Sequence, residues 1–212
     1  MIKEQMNQIY SSKDLNTIPW NRETPPKILL DLINSTILSP CKVIELGCGV
    51  GNYVRYFAKM GFDATGVDIS DKAIEIARIL AQKAGDKCEF IEADVLGEMT
   101  IIKSKYDFAY DWELLHHIFP EDRSKYVENI HRLLTSQGQY MSVCFSEAST
   151  QFGGVGKYRK TPLGTTLYFS NEAEIETLFS RLFYIVDLKP VDIQGKQGVH
   201  KAIYVHMRRK ND

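Results

Sequence analysis

The chain has 212 residues, 44% of them hydrophobic and 25% charged, which suffices for one domain with a full core and excludes a disordered or fibrous chain. Its formal net charge is −1, with both signs spread along the length, so the electrostatic reason to expect a nucleic acid or a membrane surface as partner is missing. No apolar run approaches the roughly 20 residues of a membrane helix and no signal-like core follows Met1, and the expectation is a cytoplasmic protein acting on a small molecule, monomeric or homodimeric.

Residues 1–22 stand outside the alternating pattern that follows and read as an N-terminal strap. Pro25 and Pro26 then precede Ile28, Leu29, Leu30, Leu32 and Ile33, which predicts a helix starting near Pro26, where a missing N–H costs nothing. From there short β-rich runs alternate with amphipathic helical patterns, the signature of a parallel sheet covered by helices on both faces. The strands are Lys42–Leu46, Ala64–Asp68, Glu89–Glu92, Tyr106–Tyr110 and Gln139–Phe145. Between them fall a helix from Gly51 to about Met60, one capped by Ser70 with the apolar face Ile74, Ala77, Ile79 and Leu80, and one beginning at Pro120 and followed by Gly138.

The regular pattern lapses from Glu147 to Tyr168, longer than loops in a compact domain usually run. This stretch is rich in glycine yet aromatic and basic, with Tyr158 and Arg159 between Lys157 and Lys160, which suits a lid, a surface loop being the other reading. If it is a lid, Tyr158 and Arg159 are substrate-binding candidates. Asn171 with Glu174 makes a capping box for a helix to about Ser180. Two last strands, Phe183–Leu188 and Ala202–Met207, form an antiparallel pair, the second inserted between neighbours or at the edge. Four separated cysteines, Cys41, Cys48, Cys88 and Cys144, contain no C-x-x-C pair, so they read as reduced core thiols and no metal site is expected.

The strongest chemical signal is Glu45-Leu46-Gly47-Cys48-Gly49-Val50-Gly51, a strand ending in an acid and a glycine turn that opens a helix. Such a turn lets a ligand approach the backbone, and the helix start offers unpaired N–H groups. A dinucleotide fingerprint would need glycine at residue 52, where the chain has Asn52. Glu45 is moreover awkward beside a pyrophosphate but suited to a cationic amino group. Asp68, about 20 residues further on at the second strand's carboxyl end, can accept both hydroxyls of a ribose. Asp94 closes the third strand, placed to accept from an adenine amine while Ile69 and Val95 pack on the ring. Three acids at the carboxyl ends of three successive strands converge where open α/β sheets bind ligands.

With these residues in order, followed by Tyr106-Asp107-Phe108-Ala109-Tyr110-Asp111, the chain from about residue 15 onward resembles class I S-adenosylmethionine-dependent methyltransferases. The resemblance implies a single Rossmann-like three-layer α/β domain over residues 1–212 and a seven-stranded, mostly parallel sheet whose last strand is antiparallel. It also implies S-adenosylmethionine as cofactor, leaving as S-adenosylhomocysteine, held by Glu45, Gly47, Gly49, Gly51, Asn52, Asp68, Ile69, Asp94, Val95 and Asp111. Thr17-Ile18-Pro19-Trp20-Asn21 looks like the N-terminal segment of the thiopurine S-methyltransferase and tellurite-resistance branch. That likeness places Trp20 near the cofactor and Tyr10 near the substrate, although Tyr10 to Trp20 reads equally well as a strap packed on the core.

Asp111-Trp112-Glu113-Leu114-Leu115-His116-His117 sits where methyl transfer occurs in that family and lacks its nucleic-acid N-P-P-Y tetrapeptide. Trp112 becomes a substrate candidate, and His116, His117 and Glu113 become catalytic candidates, since imidazole titrates near neutrality. At least one of the two histidines is expected to be structural. The implied reaction is methylation of a small acceptor, a thiol or other soft nucleophile by the looser likeness. Methylation of protein or RNA, and a module that binds the cofactor without transfer, are the other readings.

Overall fold

The computed structural model describes residues 2–34, 38–196 and 198–211, and the chain divides into two compact units, Met1–Phe108 and Ala109–Asp212. The first unit runs α1 (Ile2–Ser12), a 3₁₀ turn (Leu15–Thr17), α2 (Lys27–Asn34), β1 (Lys42–Leu46), α3 (Asn52–Lys59), β2 (Asp63–Asp68), α4 (Asp71–Ala84) and β3 (Glu89–Glu92), and it ends within β4 (Tyr106–Trp112). β1 and β2 are near-continuous buried runs, and β1–β2 and β2–β3 pair in parallel, with Val43 opposite Ala64 and Gly66 opposite Phe90. That is how strands covered on both faces read.

Ser70 caps α4 by accepting the Ala73 N–H at 3.1 Å, and Gly85 ends that helix in the left-handed region. Its buried face is Ala73, Ile74, Ala77 and Ala81, and Ile79, expected inside, is 43% exposed. The reason is geometric: at 3.6 residues per turn, positions 74, 77 and 81 share a stripe that 79 cannot join. Residues 1–22, read as a strap, contain α1, which buries Ile9 and Tyr10.

The second unit continues from β4 through a 3₁₀ turn (Leu115–His117), α5 (Pro120–Leu133), β5 (Leu134–Phe145), β6 (Tyr158–Lys160), β7 (Thr166–Tyr168), α6 (Glu172–Ser180), β8 (Phe183–Gly195) and β9 (Gly198–Arg209). Seven strands make one sheet in the order β3-β2-β1-β4-β5-β9-β8. β9 runs antiparallel to both neighbours, Val143 facing Tyr204 and Leu188 facing Val205. It therefore takes the inserted position, and the fold is the Rossmann-like α/β architecture with one reversed strand. β5 follows α5 without a turn, so Gly138, expected beyond a helix end, lies inside the strand, where a Cβ would come within 2.8 Å of Leu134 Cβ. The stretch 147–168 is also more regular than its sequence suggests, because β6 and β7 pair antiparallel across it. Among the described residues no helix is long and apolar enough to cross a membrane.

Candidate functional site

The glycine turn after β1 holds Gly47, Gly49 and Gly51 at φ 75°, 53° and 74°, the left-handed region that favours glycine. Space matters as much as conformation: a Cβ on Gly51 would lie 2.2 Å from Phe90 Cε1, and one on Gly49 would lie 2.8 Å from Tyr10 Oη. The backbone donors of the turn point inward. Gly47 and Cys48 N–H both donate to Val67 O at 2.7 and 2.9 Å, and Gly51 N–H donates to Cys48 O at 2.9 Å. Gly49 N–H donates to Asp68 Oδ2 at 2.8 Å. The turn thus offers an anion far less than its sequence suggests.

Two carboxylates flank it. Glu45 and Asp68, at the carboxyl ends of β1 and β2, are 4% and 8% exposed. Asp68 Oδ1 accepts the Ser70 N–H at 2.9 Å, so each of its oxygens already holds one backbone donor and keeps a second lone pair. Burial pushes its pKa up, and the N–H bonds from Ser70 and Gly49 oppose that shift. Beyond β3, Asp94 is exposed and accepts the Leu96 N–H at 2.8 Å, while Ile69 and Val95 are half-buried. Asn52 donates to Asn21 Oδ1 at 2.7 Å and accepts from Arg55 at 2.7 Å, tying the start of α3 to the segment after Trp20.

α1 lies against this turn. Tyr10 is 7% exposed, and its hydroxyl accepts the Trp20 Nε1–H at 2.9 Å. Asn7, which no sequence signal marked, accepts from Ser70 Oγ and donates to Asp71 Oδ1, both at 2.6 Å. Lys3 pairs with Glu92 at 2.6 Å. Only an alignment of the helix with the strand ends makes these polar residues meaningful.

In the second unit the acids and histidines after β4 take different roles from one another. Asp111, expected with the cofactor residues, is fully buried; it accepts from the hydroxyls of Tyr126 and Tyr140 and from the Leu115 N–H. Burial raises its pKa to about 6. This carboxylate clamps the Leu115–His117 turn and is held by the pair of tyrosines supplied by α5 and β5. Trp112 is 8% exposed. Glu113 adopts φ 64° while its N–H donates to Val143 O at 2.9 Å, so the chain kinks directly after β4.

His116 is 3% exposed, stacks on Phe145 at 4.2 Å between ring centroids and accepts the Phe145 N–H through Nδ1 at 3.4 Å. It is a core histidine whose pKa burial pushes well below the usual value. His117 is half-buried, and desolvation lowers its pKa to about 4. The folded chain then takes up no proton at His117 until about pH 4, whereas the unfolded chain does so near 6.5. Stability contributed by keeping this ring neutral is complete above pH 6.5 and falls as pH drops toward 4. The loss is at most about 3 kcal/mol. Asp111, with its raised pKa, acts with the opposite sign between 3.8 and about 6, and the lowered pKa of His116 adds to that of His117. Denaturant melts at pH 7 and pH 5 should show this fall, and His117→Gln should flatten it by about one proton's slope.

Arg159, expected to touch substrate, is 4% exposed and donates to the carbonyls of Glu147, Ser149, Gln151 and Gly156, with its plane 4.0 Å from the Phe169 ring. It staples the 147–168 segment to itself. Tyr158 is 54% exposed and packs edge-on to Phe119 and Tyr168 at 5.4 and 5.0 Å. His200 is 8% exposed and stacks on Phe145 at 4.8 Å. The four cysteines are unpaired, Cys48 and Cys144 buried and Cys41 and Cys88 half-buried.

Comparison with known proteins bears on this arrangement. Residues 43–138 match the family model described as a methyltransferase domain. An S-adenosyl-L-methionine-dependent Diels-Alderase of Talaromyces variabilis is 33% identical over 105 residues, 48% of this chain and 35% of its own. A ubiquinone biosynthesis O-methyltransferase of Nitrosomonas europaea is 31% identical over 101 residues, 48% of this chain and 42% of its own. The chain thus spans well under half the length of these curated relatives. Among solved structures, one concerned with the conversion of a disulfide bond into a thioacetal group during echinomycin biosynthesis superposes with a TM-score of 0.82 over 99% of this chain and 93% of that one, at 20% identity. At that identity the likeness is one of fold.

Proposed function

We propose that this chain, which carries a class I S-adenosylmethionine-dependent methyltransferase domain, binds S-adenosylmethionine at the carboxyl ends of β1–β3 and transfers its methyl group to a small-molecule acceptor. The observation that carries this reading is the pairing of an inward-turned glycine turn with two buried carboxylates, Glu45 and Asp68. A pyrophosphate needs outward N–H groups and no nearby negative charge. A ligand with an ammonium group, two ribose hydroxyls and an adenine needs the reverse, and these residues fit it. Glu45 faces the ammonium, Asp68 takes the hydroxyls on its remaining lone pairs, Asp94 accepts the adenine amine, and Ile69 and Val95 pack on the ring. When bound, the cofactor supplies a sulfonium methyl carbon, to which an acceptor lone pair bonds as the carbon–sulfur electron pair returns to sulfur.

The chain's own contribution is alignment and exclusion of water. A thiol acceptor needs little help with its proton; an alcohol or amine needs a base, for which His117 and Glu113 are the candidates, since His116 is committed to the core. The O-methyltransferase name of the relative favours an alcohol. A second reading, in which the cofactor is held without methyl transfer, is supported by the Diels-Alderase relative. Calorimetric titration with S-adenosylmethionine and S-adenosylhomocysteine should give micromolar binding, after which a thiol, phenol and amine panel followed by mass spectrometry separates the two readings. Folded protein that binds neither ligand would sink both.

A further inference from the structure

The hydroxyl of Tyr10 is buried beside a turn four of whose backbone donors are committed within the protein. Gly47, Cys48, Gly49 and Gly51 all donate to acceptors of the protein itself, so those N–H groups cannot receive an anionic group of a ligand. Tyr10 is 7% exposed, and a Cβ placed on Gly49 would meet its Oη at 2.8 Å. Among the described residues that hydroxyl has one hydrogen-bond partner, Trp20 Nε1. An indole nitrogen only donates, so the phenolic oxygen is the acceptor in that bond and its own proton remains to be given elsewhere. Trp20 fixes where the oxygen sits, and the proton is left for an acceptor over the glycine turn. Burial, with Asp68 nearby, drives the phenol's pKa far upward, which keeps that proton in place at any physiological pH.

We infer that Tyr10 is the donor that receives the carboxylate of the cofactor's amino-acid end, with Trp20 as the residue that positions it. The inference rests on the cofactor reading above. Of the groups such a ligand carries, the ammonium and the ribose hydroxyls can give protons to Glu45 and Asp68. The carboxylate can only accept, is the charged one among the ligand's acceptors, and shares a carbon with the ammonium that Glu45 faces. α1 then closes on the ligand through a direct bond, and residues 2–21 become part of the binding site.

The test is a four-way titration: parent chain and Tyr10→Phe, each with S-adenosylhomocysteine and with its decarboxylated analogue, S-adenosyl-3-thiopropylamine. Hydrogen bonds to a charged group lead to an expected loss of about 10- to 100-fold in affinity for S-adenosylhomocysteine on Tyr10→Phe. The same substitution should leave the analogue's affinity unchanged within about twofold, because the group it serves is gone. Should Tyr10→Phe fold poorly, the parent alone still decides, through a preference of about 10- to 100-fold for the carboxylated ligand. Equal losses for both ligands would reduce Tyr10 to packing and overturn the inference, as would no loss for either or a parent that ignores the carboxylate. In each of these cases the parent still binds, so the cofactor reading stands; a parent that binds neither ligand fells both.

Discussion

On the proposed cofactor reading, replacing Asp68 with alanine should lower the affinity for S-adenosylhomocysteine by more than about 100-fold, because the variant loses a forked pair of hydrogen bonds from ribose hydroxyls to a buried acceptor. The same carboxylate also takes the Gly49 and Ser70 N–H groups at 2.8 and 2.9 Å, so alanine strands two buried donors and costs about 2–3 kcal/mol of stability as well. Asp68→Asn separates the two effects. Its carbonyl oxygen keeps one backbone bond, while its amide nitrogen faces the other N–H and cannot accept. Calorimetry on both variants, with circular dichroism to establish folding, checks the claim, and a folded variant that binds as the parent does would remove Asp68 from the site.

Gly51→Ala should be among the most destabilising single methyl additions in the first unit. The backbone there is at φ 74°, where an L side chain costs about 1–2 kcal/mol. The new Cβ would also sit 2.2 and 2.4 Å from the Phe90 ring and 3.3 Å from Ala77 Cβ. Phe90 is itself 5% exposed on β3, so it cannot swing into solvent and the overlap must be relieved by backbone movement, which adds about 1–3 kcal/mol. A fall of about 5–15 °C in thermal midpoint follows for a chain of this size. An unchanged midpoint would mean that the turn yields easily and that its glycine serves the ligand alone. Gly85→Ala, at a similar φ but with nothing within 4 Å, isolates the conformational part.

The parallel strands and the helix caps were legible in the sequence because their determinants are local: the buried runs at Val43–Leu46 and Ala64–Asp68, the Ser70 cap and the Asn171–Glu174 box each stand within a few residues. Positions that depend on a partner distant in sequence were not. Asp111 reads like another strand-end acid until Tyr126 and Tyr140 are brought to it, and Arg159 reads like an anion site until four carbonyls of its own loop enclose it. α1 was missed for a different reason. Its apolar residues, Ile2, Met6, Ile9 and Tyr10, do have helical spacing, but they are sparse, and half of what holds the helix is polar, through Asn7 and Lys3. The role proposed for Tyr10 was hidden too, because it depends on donors of the glycine turn being committed elsewhere, a property that no residue type encodes.

The place of β9 also sets an order of assembly. Its partners β5 and β8 are made earlier by the ribosome, and Gln139 waits for Arg208 just as Phe183 waits for Arg209. Until residues 198–209 emerge, the nascent second unit presents two long strands with unmet backbone groups, each a template for the wrong neighbour. The first unit has no such debt, since β1, β2 and β3 and the helices between them appear in succession and pair as they come. Synthesis therefore leaves a window in which the first strands are settled and the later ones are vulnerable to misassociation, and the long-range pairing of β9 with β5 is the step a chaperone would most need to guard.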